Sequence, residues 1–318
     1  MIFSASAAPR VAVCPASVAL PQVSVTRPGM RLGSAVHGFL ESLNRGTSKA
    51  DALAALDGDA AALCAQIDPT RVPIGVPEIA YAYDVATGRA WRLTVDGHRG
   101  YGVTSDTVIP GTIDLLVEGR LATATDPGQR WIVVDWSTDH DLDVAAKRQQ
   151  VETYMLMVAR AHNVATVDGA IGTFRLSGEL AWHTWSLDAW GLIDVATRLK
   201  DAHAAAVRAR NARREHEINH AAPWSPDVTR GPHCRDCRAF MSCPATAAMV
   251  RAVGVPEASL GVAYEVAQTS EKWGKEVRDH ARAAVERDGF VPMPGDRRLV
   301  KRTDKNNRTS LRVIRAQG

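Results

Sequence analysis

Gly111-Thr112-Ile113-Asp114-Leu115-Leu116 and Val133-Val134-Asp135-Trp136-Ser137-Thr138-Asp139 are the two stretches whose reading decides the fold. Each is a short apolar run broken by an acid. A carboxylate set among Ile, Leu and Val is costly to bury unless a partner or a metal ion receives it. Thr112–Val117 and Trp131–Val134 read as strands, separated by a turn at Asp126-Pro127-Gly128, so the two aspartates fall on neighbouring strands. Upstream, Ile79-Ala80-Tyr81-Ala82-Tyr83 and Ala90-Trp91-Arg92-Leu93 alternate about a turn at Thr87-Gly88 and read as a hairpin, with Glu78 at its entry. Glu78, Asp114 and Asp135 converging from three strands would make an oxygen-rich site suited to Mg²⁺ or Mn²⁺.

Outward from these strands the period changes to that of helices. Leu32, Val36, Phe39, Leu40 and Leu43 share one face, which predicts a helix over Gly33–Leu43; it carries His37 as a candidate further metal ligand. Residues 50–66 read as a second, Ala-rich helix. After the acidic strands, residues 143–162 predict a helix with Val144, Val151, Tyr154, Met155 and Val158 along one stripe. Gln150 and Tyr154, four apart, lie on one face of it and suit holding a phosphate or orienting the acids. Val167–Phe174 and Leu180–Trp185 return to strand, Leu187–Arg214 to a long helix and Pro256–Arg287 to a last one. Arg297–Arg315 reads as a hairpin about Asp304-Lys305-Asn306-Asn307. The order predicts an α/β fold, a mixed sheet flanked by helices with helical and Cys-rich additions.

The 318 residues are 46% hydrophobic and 23% charged, which excludes disordered and fibrous classes. No apolar run approaches a membrane span, and Met1-Ile2-Phe3-Ser4 reads as lacking a signal peptide; a cytoplasmic protein is expected. The five cysteines are uneven in number and spacing, which argues against a disulfide scaffold. Cys234-x2-Cys237-x5-Cys243-Pro244 is instead spaced for a metal centre. Its fourth ligand would be Cys14, in Cys14-Pro15-Ala16-Ser17, for an iron–sulfur cluster or zinc, or else His233 for zinc. Cys64, in an apolar helix, reads as core. The tail Arg297–Arg315 holds six Arg and two Lys against Asp304 alone, a net +7 that attracts phosphate, and Arg208, Arg210, Arg213 and Arg214 make a second basic stretch.

Taken in order, Gly33-x-x-x-His37, Glu78, Gly111-Thr112-Ile113-Asp114, Val134-Asp135-Trp136 and Gln150-x-x-x-Tyr154 resemble the PD-(D/E)XK nuclease superfamily, specifically its RecB-like branch of AddB-type nucleases, CRISPR-associated exonucleases and phage proteins. The one-plus-three cysteine layout resembles that branch's iron–sulfur staple. Ser4-Ala5-Ser6-Ala7 before Cys14 looks like its phage-associated members. The resemblance implies a nuclease domain over residues 1–245, closed by a 4Fe-4S cluster on Cys14, Cys234, Cys237 and Cys243. Residues 246–318 would form a C-terminal helix and basic tail. It further implies that His37, Asp114 and Asp135 bind Mg²⁺ or Mn²⁺, with Glu78 in support and Gln150 and Tyr154 positioning the strand. The expected function is a metal-dependent DNA exonuclease of recombination, repair or phage DNA processing. Its substrate would be single-stranded DNA or duplex ends, and a recombination or replication protein would be its partner.

The family's third motif, Asp/Glu-x-Lys, departs here to Asp135-Trp136-Ser137, with Asp139 where relatives usually have Gly. Two readings follow. Lys147, three residues from Gln150 on the next helix, replaces the lost lysine; or the site is degenerate and the protein binds DNA without cutting it.

Overall fold

The computed structural model describes residues 1–22, 28–94, 101–119, 130–138, 144–174, 179–219, 224, 226–231, 233–234, 237–245, 281–282, 284–293, 297–303 and 309–315. Asp139, the turn at 126–128, the tip at 304–307 and most of the helix expected over 256–287 lie outside them. The chain divides into two compact units: residues 1–19 with 25–229, and residues 20–24 with 230–318.

The first unit is built on one six-stranded sheet. Its strands are β1 (Val76–Asp84), β2 (Ala90–Arg92), β3 (Val108–Gly119), β4 (Arg130–Ser137), β5 (Val167–Phe174) and β6 (Leu180–Leu187), in the order β2-β1-β3-β4-β5-β6. Every pair is antiparallel except β4–β5. A parallel pair needs a crossover, and the helix α5 (Val144–His162) supplies it.

Each face of the sheet is covered by helices, giving three layers. On one face Ile79, Tyr81, Tyr83, Ile113, Val133 and Ile171 pack with α1 (Ala8–Val13), α5 and α6 (Ala189–Asn219). On the other, Leu115, Val134, Trp136, Ala170 and Phe174 pack with α2 (Pro28–Asn44), α3 (Lys49–Ala54) and α4 (Gly58–Gln66). The mixed sheet flanked by helices is the architecture that the alternation of periods predicts. The expected single helix over residues 50–66 is two helices, α3 and α4. Ser48 caps α3 by accepting from the Asp51 N–H, and the chain is extended at Asp57 (φ −131°, ψ 168°) before α4 begins.

The middle of α5, from Val151 to Ala159, is buried all round because sheet and α6 enclose it. Glu152 within it accepts from Arg148 at 2.9 Å and from Arg198 of α6 at 2.7 Å, which satisfies a carboxylate that would otherwise be costly there. Two glycines let rings cross the sheet. A Cβ at Gly172 would stand 2.4 Å from the Trp136 ring, and one at Gly111 would stand 2.6 Å from Tyr154 Cε1. Trp136 itself is 2% exposed and tilted against Phe174 and Trp182, so the motif tryptophan is core.

In the second unit β7 (Val291–Met293), β8 (Arg297–Thr303) and β9 (Thr309–Arg315) form an antiparallel sheet in that order, matching the expected tail hairpin. Val291 and Leu299 are buried, as are Ala281, Ala284 and Val285 of a helical segment just before β7. Among the described residues no helix is long and apolar enough to cross a membrane.

Candidate active site

The strand register assembles the site before any side chain is considered. Val76–Leu116, Pro77–Leu115 and Ile79–Ile113 pair across β1 and β3; Leu115–Val134 and Leu116–Val133 pair across β3 and β4. Continued by one step, that register sets Glu78 opposite Asp114 and Asp114 opposite Asp135. The three acids thus occupy one row across three adjacent strands, and opposite residues of antiparallel strands share a face.

Two irregularities tune this row. Ile113 and Leu116 both reach the α5 layer although they are three apart, while Leu115 reaches the opposite layer, so the alternation of β3 breaks at Asp114. Glu78 has a left-handed backbone, φ 49°, which for a non-glycine residue costs on the order of 1–3 kcal/mol. Such strain persists where surrounding structure imposes it, and here the paired residues on either side of Glu78 do so.

Both helical layers contribute to the row. His37 of α2 places Nδ1 3.4 Å from Asp114 Oδ2, and the Trp136 backbone N–H donates to the same oxygen at 2.7 Å. Lys147 of α5 brings Nζ within 2.5 Å of Asp135 Oδ2, while the Gln150 amide donates to Asp135 Oδ1 at 3.0 Å and to Tyr154 Oη at 3.1 Å. His37, Glu78 and Asp114 offer ligand atoms that all lie within 4.8 Å of one another. Asp135 sits beside this triple, gripped by Lys147 and Gln150.

The charges are mutually adjusted. Burial by itself lowers the His37 pKa, but the Asp114 carboxylate, reinforced by Asp135, outweighs it and raises the value to about 9. Burial pushes Asp114 up, and the charge and hydrogen bond of His37, with Lys147 and the Trp136 N–H, hold it below the usual carboxylate range. Asp135 goes the other way, to about 6, because burial and the neighbouring Asp114 charge exceed what Lys147 returns. Burial and both acids keep the Tyr154 hydroxyl protonated, its pKa well above the ordinary value.

A hard divalent ion fits this donor set. Two carboxylates and one imidazole are gathered to one point by backbone register, and His37 can ligate once its proton leaves. Among the described residues no other group of three His, Cys, Asp or Glu side chains comes together so closely. The thiols of Cys234, Cys237 and Cys243 are half-buried and not disulfide-bonded, and they are not drawn into such a set. They lie in a run of short turns in the second unit, where the Cys237 N–H donates to the Cys234 carbonyl at 3.2 Å and His233 Nε2 lies 3.7 Å from Cys234 Sγ. Cys14 is buried at the end of α1, in the first unit. Cys64, in α4, is fully buried in the core cluster it shares with Val36, Phe39 and Leu40 of α2, as a core thiol.

Two contacts beside the row had no sequence signal. Tyr101 Oη and Thr112 Oγ1 share a hydrogen bond of 3.0 Å, and the Ala5 side chain packs at Gly111 beside Tyr154.

A family model described as the PD-(D/E)XK nuclease superfamily matches residues 3–244. No curated protein matches. Among solved structures, one described as "Crystal structure of SSO0001" aligns at 15% identity with a TM-score of 0.33, covering 77% of this chain and 86% of that one.

Proposed function

Because this chain belongs to the PD-(D/E)XK nuclease superfamily, we propose that it is a divalent-metal-dependent DNA nuclease in which Lys147 of α5 stands in for the motif lysine absent at Ser137. The observation that carries this reading is the ammonium of Lys147, 2.5 Å from Asp135 and so turned into the acidic row. Mg²⁺ or Mn²⁺ would be held by His37, Glu78 and Asp114, with Asp135 alongside. When bound, the ion would supply Lewis-acid stabilisation of the phosphate and lower the pKa of water.

The chain's own groups divide the remaining work. Lys147 sets a fixed positive charge beside the row, where negative charge grows on the phosphate. Gln150 holds Asp135 Oδ1, and its own orientation is fixed by Tyr154 Oη. The Trp136 N–H pins Asp114 Oδ2 and so fixes the orientation of that carboxylate. His37 carries its proton until a cation replaces it. The motif order supports an exonuclease of recombination, repair or phage DNA processing, acting on single strands or duplex ends.

The cysteine set enters as a second element of the proposal. A 4Fe-4S cluster on Cys14, Cys234, Cys237 and Cys243, with zinc as the alternative, rests on the sequence pattern, and no chemical step is assigned to it.

End-labelled single- and double-stranded DNA, incubated with anaerobically purified protein and Mg²⁺ or Mn²⁺, tests the activity. Cleavage is expected with either ion and none in chelator. Asp114→Asn should reduce it to background while leaving the circular dichroism of the fold intact. A variant that cuts as fast as the parent would remove the acidic row from the reaction.

A further inference from the structure

The three-stranded sheet of the second unit lies beyond the residues that the family model matches, and its two faces are unlike. Val291 and Leu299 pair across β7 and β8 and are both buried. Lys301, two residues on and so on the same face, reaches Glu286 of the preceding helical segment at 2.9 Å. That segment, with Ala281, Ala284 and Val285 buried, lies on this face. Arg298, Val300 and Arg302 alternate onto the other face, where both arginines are exposed and Val300 is half-buried. Ile314 and Ser310 of β9 stand opposite Arg298 and Arg302 in the register.

The charge here is unbalanced. β8 and β9 carry Arg297, Arg298, Lys301, Arg302, Arg312 and Arg315 and no acid. The whole chain has 38 basic side chains against 35 acidic ones, so its basic excess resides in these two strands and the remainder is net acidic. Elsewhere Arg45, Arg148, Arg198, Arg210 and Arg287 each reach a carboxylate of the chain itself. Among the described residues no carboxylate pairs with Arg298 or Arg302. The Arg298 guanidinium instead lies over the Phe290 ring, 4.7 Å from its centroid, a contact that holds the cation without neutralising it. Guanidiniums presented in this way suit phosphate oxygens. Four residues of extended strand set the two backbone positions roughly 13 Å apart, which suits several phosphates along a chain better than one small anion.

We propose that the arginine face of this sheet is a second DNA-contacting surface, which holds the phosphate backbone through Arg298 and Arg302 without regard to base sequence. The inference rests on the nuclease reading for the choice of DNA as the polyanion. It adds to that reading a contact outside the part of the chain that the nuclease family accounts for.

The test uses the full chain and fluorescence anisotropy in Ca²⁺, with a labelled single-stranded oligonucleotide and the same sequence as a blunt duplex, over a series of salt concentrations. Each phosphate contact contributes about 0.7 to the slope of log affinity against log salt on a single strand and about 0.9 on duplex. The double variant Arg298→Ala/Arg302→Ala should therefore flatten the slope by about 1.4 and about 1.8 respectively, and Arg302→Ala alone by about half as much. Lys301→Ala removes the same charge from the neighbouring residue on the opposite face and should leave the slope as it is. The proposal is overturned if the double variant, folded by circular dichroism, keeps the parental slope. It is equally overturned if Lys301→Ala flattens the slope as much as Arg302→Ala, which would mark a general electrostatic effect. Phosphatidylcholine vesicles containing phosphatidylserine supply the other polyanion: if the double variant loses vesicle binding while its DNA slope is intact, the face is a membrane contact and the proposal fails. Absence of any cleavage by the parent in Mg²⁺ would instead sink the nuclease reading, and the slopes would still decide the arginine face.

Discussion

The acidic row and the cysteine segment are both groups of metal-ligand residue types, yet the chain treats them differently. Backbone register delivers Glu78, Asp114 and Asp135 to one line across β1, β3 and β4, and two helical layers bring His37 and Lys147 to it. Cys234, Cys237 and Cys243 instead come from one short run of chain and sit half-buried among single turns in the second unit. A hard-ion site that must exchange substrate and ion benefits from being organised beforehand. A thiolate centre instead contributes its binding energy as folding energy, and its ligands need not converge until the metal arrives.

That difference yields predictions of decreasing size. If the cysteine set holds the proposed metal, replacing Cys234 and Cys237 by Ser should remove it, read as loss of iron and of absorbance near 400 nm, or of zinc in a colourless protein. Hydrogen exchange should then quicken around residues 231–243, while the amides of Val151–Ala159 keep their protection. Equal protection in both segments would mean that the cysteine region is organised without metal. Gly172→Ala attacks the prearranged side. Its new Cβ would meet the Trp136 ring, and overpacking of that kind costs about 1–3 kcal/mol, measurable as a lowered midpoint in urea without change in metal content. The smallest effect concerns thiol reactivity. Burial raises the Cys64 pKa to about 11, although Lys49 partly opposes it. In chelated protein at pH 7.5, iodoacetamide should therefore label the half-buried Cys234, Cys237 and Cys243 and spare Cys64; labelling of Cys64 at a similar rate would place it outside the core.

The sequence made the framework legible because each acid stood where an apolar period said a side chain should be buried. An Asp inside Thr-Ile-Asp-Leu-Leu or Val-Val-Asp-Trp is conspicuous for an energetic reason, and helical spacing was enough to put Lys147, Gln150 and Tyr154 on one face. Other features depend on geometry that no local pattern encodes. The left-handed backbone of Glu78 follows from pairing on both sides of it, and the break in alternation at Asp114 follows from two helical layers competing for β3. Tyr101 meets Thr112 from a segment with no periodicity. The division of residues 50–66 into α3 and α4 was hidden by alanine, which favours helix on both sides of Asp57.

The central claim is that Lys147 performs the task of the missing motif lysine, and single-turnover cleavage by Lys147→Ala tests it most directly. With metal at saturation, the rate should fall about 10²–10³-fold, the usual effect of removing one charged donor from a closed site, while Ca²⁺-supported DNA binding changes little. Ser137→Lys in the parent should add almost nothing. A Lys147→Ala variant that cuts at the parental rate, or a Ser137→Lys variant that switches on a protein otherwise inactive, would contradict the account.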